Sequence, residues 1–251
     1  MFLKIKIVHI DETKSTQDSI TEYLKNDYYS SLLLVAKTQT KGRGRKQDDW
    51  HSPEGGFWAT LGLTTSLTLN ESQLALFHYF TATLLSRIIK EEYDLQVQIK
   101  WPNDILYENR KLAGILIDYV ICSQENYILI GTGVNLNNSS NEMPESLKSS
   151  AISIKDILHK PVSIDTFALK ICFYANEYYS PIIECNQKKI LDLIQEYNQN
   201  SRIFGKDAIL DDLQKYYCHG INKEGLLQFS NKNSKLNLKI DDLTRIKKII
   251  F

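Results

Sequence analysis

Apolar and polar positions alternate, or apolar residues run together, in a series of short segments along the first part of the chain. Alternation with a period of two predicts a half-buried strand, and a short uninterrupted apolar run predicts a buried one. Turn-forming residues, such as those of Ser52–Gly56, separate the segments. The strands predicted in this way are Phe2–Ile10, Leu32–Ala36, Phe57–Leu69, Leu95–Trp101, Lys111–Val120 and Tyr127–Leu136.

Apolar residues at three- and four-residue spacing predict helices between and after these strands. The longest predicted helix, Glu71–Glu92, follows Asn70, a residue type that commonly caps a helix N-terminus. Ser15 or Thr16 is a candidate cap for a shorter first helix over Ser19–Leu24. The other predicted helices are Ser163–Tyr179 and Lys188–Tyr197, and the Asn- and Ser-rich segment Asn137–Ser150 is predicted to be an irregular surface loop.

The pattern changes after Arg202, where short apolar–polar alternations are separated by turn residues. This texture predicts a small β-barrel of about 50 residues, near the lower size limit of a stable domain. The strands predicted within it are Ala208–Leu210, Tyr216–Ile221, Leu226–Phe229, Leu236–Ile240 and Ile246–Phe251. We therefore predict an α+β chain with a mixed domain over residues 1–200 and a β-appendage over residues 201–251.

The composition argues against several classes of protein. Equal numbers of acidic and basic residues give a net charge of zero, so no overall field draws the chain toward nucleic acid or a membrane. The N-terminus does not resemble a signal peptide, and no apolar run approaches the roughly 18 residues of a membrane span. Its cysteines, which form no CxxC pair, are Cys122, Cys172, Cys185 and Cys218. Such spacing argues against a zinc ribbon or a thioredoxin-type site, and we expect a soluble, cytoplasmic protein with reduced thiols.

The basic stretch Lys37–Trp50 directly follows the predicted strand Leu32–Ala36. Gly42 and Gly44 stand among its cations, which are Lys37, Lys41, Arg43, Arg45 and Lys46. Backbone amides in a glycine-bearing turn, together with arginine side chains, form a concave site for an anion. An isolated stretch of this kind is nevertheless better explained as a solvated turn or a nucleic-acid-binding patch than as an active site.

Two later segments also contain residues that core packing does not require. In Lys100–Ile105 a proline ends a strand, Asn103 and Asp104 follow in the turn, and Lys111 then opens the next strand. Glycines interrupt the strand in Gly131–Leu136, which implies a bulge or a close approach of the backbone. Taken singly, the first segment is explained by an ordinary hairpin with an edge-strand charge, and the second carries little information.

Taken together, in this order and spacing, these segments resemble the biotin–protein ligases. The segment GRGRKQDDW resembles that family's GRGRxGRxW loop, KWPNDI resembles its central turn, and RKLAGIL and GTGVNL resemble the two strands beyond it. Ser15–Gln17 and Gln39 are similar to the family's Ser-Thr-Asn/Gln and to the Gln ahead of its glycine loop. His219–Asn222 and the following Gly-Leu-Leu resemble the pattern of its C-terminal barrel.

The resemblance implies a mixed β-sheet flanked by helices, followed by an SH3-like barrel. It implies ATP-dependent ligation of biotin to a lysine of a biotin carboxyl carrier domain through biotinyl-5′-AMP, with Mg²⁺ carried on the ATP phosphates. Some members have an N-terminal winged-helix domain that binds DNA. Because this chain starts at the first catalytic strand, we expect a form without DNA binding. A sheet edge offers a way to form a homodimer, although the sequence shows no interface.

The resemblance also implies roles for individual residues. The residues implied in catalysis are Lys111, Arg45 and Asp104, with Lys111 between the biotin carboxylate and the α-phosphate and Asp104 near the incoming lysine. The biotin contacts implied are Ser15, Thr16, Gln17, Gln39, Gly42, Arg43, Gly44, Arg45, Lys111, Gly114 and Ile115. The contacts implied for ATP and the adenylate are Arg43, Arg45, Lys46, Trp50, Asn103, Lys111 and Asn135.

The chain departs from the family pattern at Gln47 and Asp48, which stand where Gly-Arg is usual. One interpretation is a loop that retains the adenylate less well. The other is that Lys46 supplies the missing charge while the carboxylates of Asp48 and Asp49 face solvent, and we favour this second interpretation slightly.

Other functions also fit parts of the sequence. A lipoate- or octanoyl-transferring relative shares the fold, although GRGR and KWPND favour biotin. A nucleic-acid-binding protein would use Lys37–Lys46 as a basic arm, against which the zero net charge counts. A non-catalytic biotin-binding protein is suggested by Gln47 and Asp48.

Overall fold

A computed structural model describes residues 3–27, 30–45, 48–121, 125–231, 235–238 and 246–250. Its strands are β1 (Lys6–Thr13), β2 (Ser31–Arg43), β3 (Asp49–Ser52), β4 (Phe57–Thr65), β5 (Gln98–Lys100), β6 (Asp104–Tyr107), β7 (Arg110–Val120), β8 (Asn126–Val134), β9 (Asp207–Leu210), β10 (Lys215–Ile221), β11 (Leu227–Ser230), β12 (Lys235–Leu238) and β13 (Ile246–Ile250). Its α-helices are α1 (Thr16–Asp27), α2 (Glu71–Tyr93), α3 (Glu145–Lys148), α4 (Ile154–Leu158), α5 (Ile164–Ile183) and α6 (Gln187–Asn200).

The larger sheet has the order β1-β2-β4-β8-β7-β6-β5, with β3 paired to the distal part of β2. Strands β1 and β2 are parallel, and the remaining pairs in this sheet are antiparallel. The sheet is therefore mixed, as the resemblance implies.

Strand β2 shows why its sequence is apolar without alternation. Leu33 and Val35 belong to the main apolar cluster on one face of the sheet. Leu32 and Leu34 join a smaller cluster on the other face, where Ile20 of α1 packs. A strand buried on both faces needs apolar residues at every position.

Helix α2 supplies much of the main core and begins where the sequence predicts. The Asn70 side chain accepts a hydrogen bond from the Gln73 amide (2.9 Å), and the Gln73 side chain accepts one from the Asn70 amide (3.1 Å). These reciprocal bonds form a capping box, which satisfies amides that the first helical turn leaves without partners. The helix packs against α5 and α6.

The C-terminal strands form a second, antiparallel sheet of order β12-β11-β10-β9-β13. Its buried side chains, among them Ala208 and Phe229, belong to the same apolar cluster as the larger sheet. Asn198 of α6 fixes β10 in place, because its amide donates to Ile221 O (3.1 Å) and its oxygen accepts from Ile221 N (2.9 Å). A Cβ on Gly220 would lie 2.3 Å from Asn198 Oδ1, so only glycine allows this contact.

Two boundaries of the first strands differ from the prediction. Strand β1 continues beyond its predicted end at Ile10 through Asp11–Thr13, because Glu12 and Thr13 pair with Thr38 and Gln39 of β2. Strand β2 in turn continues through the first half of the basic stretch instead of ending at Ala36. In both cases backbone pairing overrides polar composition. Phe2, the first residue of the predicted strand Phe2–Ile10, lies outside the described residues.

The prediction of an irregular loop over Asn137–Ser150 is wrong. A 3-10 turn covers Ser140–Glu142, and α3 follows Pro144. Helix α4 is also absent from the prediction, and its N-terminus is closed by a capping box between Ser153 and Asp156. These helical turns are too short to produce an apolar periodicity.

Candidate active site

The N-terminus of α1, the β2–β3 hairpin and the middle of β7 and β8 surround a cavity of about 50 Å³. The residues predicted to contact biotin line it, with the exception of Gly42. Those brought together are Ser15, Thr16, Gln17, Gln39, Arg43, Gly44, Arg45, Lys111, Gly114 and Ile115. Gly42 instead allows the hairpin strands to approach, since a Cβ there would lie 2.5 Å from Trp50 O.

One end of this cavity, which we call the polar end, is a hydrogen-bonded group of Thr16, Gln17, Gln39 and Thr60. Gln39 Oε1 accepts from Thr16 N (2.8 Å) and Thr16 Oγ1 (3.1 Å). Thr60 Oγ1 lies 2.9 Å from Thr16 Oγ1 and 3.1 Å from Gln17 Oε1. Thr60 is not among the predicted site residues. A polar residue in the middle of the otherwise apolar segment Phe57–Leu63 was the available signal.

The indole of Trp50 lies on the floor of the site. Cβ atoms added to Gly114 and Gly133 would lie 2.7 and 2.6 Å from its ring atoms, so both glycines are needed for this packing. Lys111 Nζ lies 4.8 Å from the centre of a Trp50 ring, a cation–π distance. The buried Trp50 Nε1 has no hydrogen-bond partner among the described residues. Trp50 thus occupies space beside the polar end with an unsatisfied donor.

A second cavity, of about 380 Å³, adjoins the first. The two share walls formed by Gly44, Arg45, Trp50, Asn103 and Lys111. The other residues lining the second cavity are Asp48, Asp49, His51, Asp104, Asn135, Met143, Leu147 and Ala151. The last three form an apolar wall, and Met143 and Leu147 come from the segment that is predicted to be a loop.

The turn after β5 is fixed against β7 and against the basic stretch. Asn103 Nδ2 donates to Ile115 O (3.1 Å), and Ile115 N donates to Asn103 O (3.0 Å). Arg45 Nη1 donates to Asn103 Oδ1 (3.2 Å). The Trp101–Pro102 peptide bond in this turn is cis. The turn therefore places Asn103 and Arg45 at the junction of the two cavities.

Lys111 and Asp104 form an ion pair at this junction. Lys111 Nζ lies 2.9 Å from Asp104 Oδ1, but that oxygen makes no well-aligned hydrogen bond. Asn135 supports the lysine from behind, because its side-chain amide donates to Lys111 O (3.3 Å). Both side chains are partly buried, with 36% and 18% of their surface exposed. An anionic ligand that approaches Lys111 can therefore replace Asp104 as the partner of the ammonium group.

The two arginines of the glycine loop have different surroundings. Arg43 Nη1 lies 2.5 Å from Asp18 Oδ1 and 3.2 Å from Asp118 Oδ2, so its charge is balanced at the mouth of the first cavity. Among the residues described here, no carboxylate pairs with Arg45. Its charge instead reaches α2, where burial and the Arg45 guanidinium lower the pKa of His78 to about 4. Arg45 is therefore the more available of the two for an anionic ligand.

The loop between Arg45 and Asp48 is closed by its own backbone. Asp48 N donates to Arg45 O (3.0 Å), and Gly44 N donates to Asp48 O (2.7 Å). Asp48 and Asp49 are exposed at the rim of the second cavity. Lys46 and Gln47 lie outside the described residues.

The described ranges contain neither a cluster typical of a bound metal ion nor a helix typical of a membrane span. No group of three or more His, Cys, Asp or Glu side chains there is arranged to hold a metal ion. Among the helices described, none is long and apolar enough to cross a membrane.

Comparison with known proteins places the motifs in a family. A sequence model of the biotin/lipoate A/B protein ligase family matches residues 10–135. The chain is 37% identical over 153 residues to the bifunctional ligase/repressor BirA of Bacillus subtilis, covering 59% of this chain and 46% of that protein. It is 35% identical over 114 residues to the human biotin–protein ligase, covering 43% of this chain and 16% of that protein. The chain thus spans less than half the length of these relatives.

The fold also matches a solved structure. Biotin protein ligase from Aquifex aeolicus, in complex with biotin and ATP, superposes with a TM-score of 0.74 at 23% identity. The match covers 93% of this chain and 95% of that one. At this identity the likeness concerns the fold, and it confirms the predicted mixed sheet with flanking helices and a small SH3-like C-terminal unit.

Proposed function

The chain belongs to the biotin/lipoate A/B protein ligase family, and on that premise we propose that it uses ATP to join biotin to a lysine of a biotin carboxyl carrier domain. The observation that supports this most is the pair of adjoining cavities, which share Arg45, Asn103 and Lys111. One cavity suits a small ligand with polar heteroatoms at one end. The other suits a nucleotide, and two cations stand where the ligands would meet.

The polar end favours biotin over lipoate. Thr16, Gln17, Gln39 and Thr60 offer donors and acceptors that match a ureido ring, which carries both N–H groups and a carbonyl. A dithiolane ring would leave these groups without partners after their water had been displaced, which is costly for buried polar atoms. The four side chains already hold one another in place, so little ordering is required on binding.

The first cavity must enlarge before a ligand enters. Its present volume of about 50 Å³ is far below the roughly 300 Å³ or more of typical ligand pockets. Trp50 is the group most able to move, because it lies between the cavities and its Nε1 lacks a partner among the described residues. Biotin binding should therefore change the fluorescence of Trp50. A Trp50→Phe variant with the same fluorescence response as the parent would rule out this movement.

In the second cavity we place ATP, with its base against Met143, Leu147 and Ala151 and near the face of Trp50. This puts the α-phosphate beside Arg45 and Lys111. A biotin carboxylate oxygen would attack the α-phosphorus, forming the mixed anhydride biotinyl-5′-AMP as the bond to pyrophosphate breaks. The two cations would stabilise charge that increases where the carboxylate and phosphate approach.

Before the biotinyl group is transferred, Asp104 would leave its present ion pair with Lys111. Once the phosphate engages Lys111, the Asp104 carboxylate is free to orient the carrier lysine and accept its proton. The lysine nitrogen attacks the biotinyl carbonyl carbon, an amide bond forms, and AMP leaves. Arg43 has a structural role in this proposal. Its ion pairs with Asp18 and Asp118 join α1 to β7 across the mouth of the first cavity.

Mg²⁺ fits this site as a companion of ATP. The exposed carboxylates of Asp48 and Asp49 at the rim could supply one or two ligands, and the described residues form no cluster of three. That donor set suits an ion that keeps several waters and binds mainly through substrate phosphates.

The test is incubation of the protein with biotin, ATP, Mg²⁺ and a biotin carboxyl carrier domain, followed by mass analysis of the carrier. We expect one biotinyl group on the wild-type carrier and none on a carrier whose target lysine is changed to arginine. The same incubation with lipoate in place of biotin distinguishes biotin ligation from lipoate ligation, the other activity named for the family. Biotin binding without pyrophosphate release would contradict the proposal and indicate a non-catalytic biotin-binding protein.

A further inference from the structure

A buried chain of hydrogen bonds connects the turn of the site to the C-terminal sheet. Trp101 Nε1 donates to Tyr79 Oη (3.1 Å), and Tyr79 Oη donates to the backbone oxygen of Gly225 (2.9 Å). Tyr79 is fully buried on α2, and 4% of the Trp101 surface is exposed. Gly225 lies in the turn between β10 and β11, so one tyrosine hydroxyl contacts both units.

The C-terminal turn sits too close to α2 to adjust freely. Gly225 has a φ of +73°, and a Cβ at this position would lie 3.1 Å from Ser72 O and 3.2 Å from the Ala75 Cβ. The Tyr79 ring also packs against the ring of Tyr197, with ring centres 4.7 Å apart. The hydroxyl therefore has a fixed position, set by α2, α6 and the C-terminal turn together.

A backbone connection runs parallel to this chain. Arg202 N donates to Ile99 O (2.8 Å), and Ser201 forms a parallel bridge with Ile99 in β5. Strand β5 thus pairs with the segment that leads into the C-terminal sheet. The residues that directly follow β5 along the chain are those of the active-site turn.

The other end of the hydrogen-bonded chain reaches the junction of the cavities within a few residues. Asn103, which follows Trp101 and Pro102, binds Arg45 and Ile115. Asp104 comes next and pairs with Lys111. A rotation or shift of the Trp101 indole would therefore displace the groups that we place at the reacting atoms.

We propose that Tyr79 is a positioning residue. Through its hydroxyl group, the C-terminal sheet packed on α2 sets the orientation of the Trp101–Asp104 turn. This inference rests on the proposed function, because it assigns the turn a part in catalysis. A displacement of about 1 Å at a reacting group can cost up to ~100-fold in rate, so the loss of one hydroxyl far from the substrate is measurable.

Tyr79→Phe tests the inference, with Tyr179→Phe as the matched control. Tyr179 is also a buried tyrosine at a helix interface, but its hydroxyl contacts Thr81 (3.0 Å) and not the turn. We expect similar losses of Tm in both variants. In carrier biotinylation, Tyr79→Phe alone should lower kcat by roughly 10-fold while the KM values for biotin and ATP stay within about 2-fold.

A spectroscopic measurement separates positioning from a general loss of stability. In the NMR spectrum of the full chain, the indole N–H signal of Trp101 should shift in Tyr79→Phe and keep its position in Tyr179→Phe. The signal is assigned by its loss in Trp101→Phe. An unchanged Trp101 signal, or equal kcat in the two tyrosine variants, overturns the inference. Wild-type protein that does not biotinylate the carrier refutes the proposed function instead.

Gly225→Ala disturbs the same link from the C-terminal side, with Gly205→Ala as its control. Both glycines have positive φ, but a Cβ on Gly205 would meet only Tyr217 Oη at an ordinary 3.6 Å. The extra displacement of the turn by Gly225→Ala should lower kcat where Gly205→Ala does not. Combining it with Tyr79→Phe should add little further loss, since both remove one connection. Additive losses would show that the two positions act independently.

Discussion

The polar end of the first cavity and the Lys111 side of the second cavity are held together in opposite ways. In the first, polar side chains such as Thr16 and Gln39 hold one another by neutral hydrogen bonds. In the second, Lys111 and Asp104 form an ion pair. The neutral groups keep their own arrangement when a ligand binds, although Trp50 must move to admit it, whereas paired charges must exchange partners. The comparison suggests that recognition is built into the fold and that the catalytic charges become available only when the anionic substrates arrive.

Lys111→Ala is the change with the largest expected effect on this comparison. Removal of the ammonium should lower biotinyl-5′-AMP formation by about 1,000-fold, because Arg45 alone then faces the charge that increases between the carboxylate and the α-phosphate. Biotin affinity should change far less, since the polar end is intact. Rapid-quench measurement of adenylate and calorimetry with biotin give the two quantities. Lys37→Ala is the control, because Lys37 forms an exposed ion pair with Glu54 (3.1 Å) outside both cavities. Normal adenylate formation in Lys111→Ala would refute the assigned role.

Asp104→Asn should act on the second step. Transfer from preformed adenylate to the carrier should slow by roughly 100-fold, because an amide cannot accept the lysine proton. Adenylate formation should be nearly retained, since Lys111 loses only its partner. Single-turnover transfer measures the effect, and Asp165→Asn, at an exposed carboxylate near His9, serves as the control. If transfer from adenylate keeps its normal rate, Asp104 has no part in the reaction of the lysine.

Thr60→Val should weaken biotin binding in the first cavity without affecting ATP binding in the second. The loss of a buried hydroxyl that orders Thr16 and Gln17 should weaken the free energy of biotin binding by about 1 kcal/mol. This corresponds to a rise in the Kd for biotin of roughly 5-fold. ATP affinity should stay the same. Thr64→Val, on the same strand but with its hydroxyl on Ser30 O, is the matched control. Equal biotin affinities in the two variants would show that Thr60 does not contribute to recognition.

Asp48→Arg has the smallest expected effect. The Arg45–Asp48 turn is closed by backbone hydrogen bonds, and the Asp48 side chain is exposed, where charge interactions are weak. We therefore expect the dissociation rate of biotinyl-5′-AMP to change by less than about 3-fold, which a chase with excess biotin and ATP can measure. A slowing of 10-fold or more would support the alternative, in which the unusual loop releases the intermediate.

The sequence predicts those parts of the molecule whose causes are local. Asn70 caps α2 as expected because a capping box needs only residues three positions apart. The apolar run Leu32–Ala36 predicts a strand because burial on both faces leaves a local signature. The pattern alone does not show that Gln39 lies against Thr16, since this contact depends on the parallel pairing of β1 with β2.

The remaining features depend on the three-dimensional arrangement. Asp18 and Asp118 approach Arg43 from two separate elements, so the balanced charge of that arginine has no signature in the basic stretch itself. The apolar wall formed by Met143 and Leu147 escapes notice because α3 has a single turn. The link from Tyr79 to Gly225 joins distant parts of the chain through a side-chain hydroxyl and a backbone oxygen, which hydropathy does not report.

The central claim, that the two cavities bring biotin and ATP together, is tested most directly by exchange of labelled pyrophosphate into ATP. The claim predicts exchange by the wild-type protein when biotin, ATP and Mg²⁺ are all present, and none when biotin is left out or replaced by lipoate. Exchange that does not depend on biotin, or the absence of exchange with all components present, would contradict it.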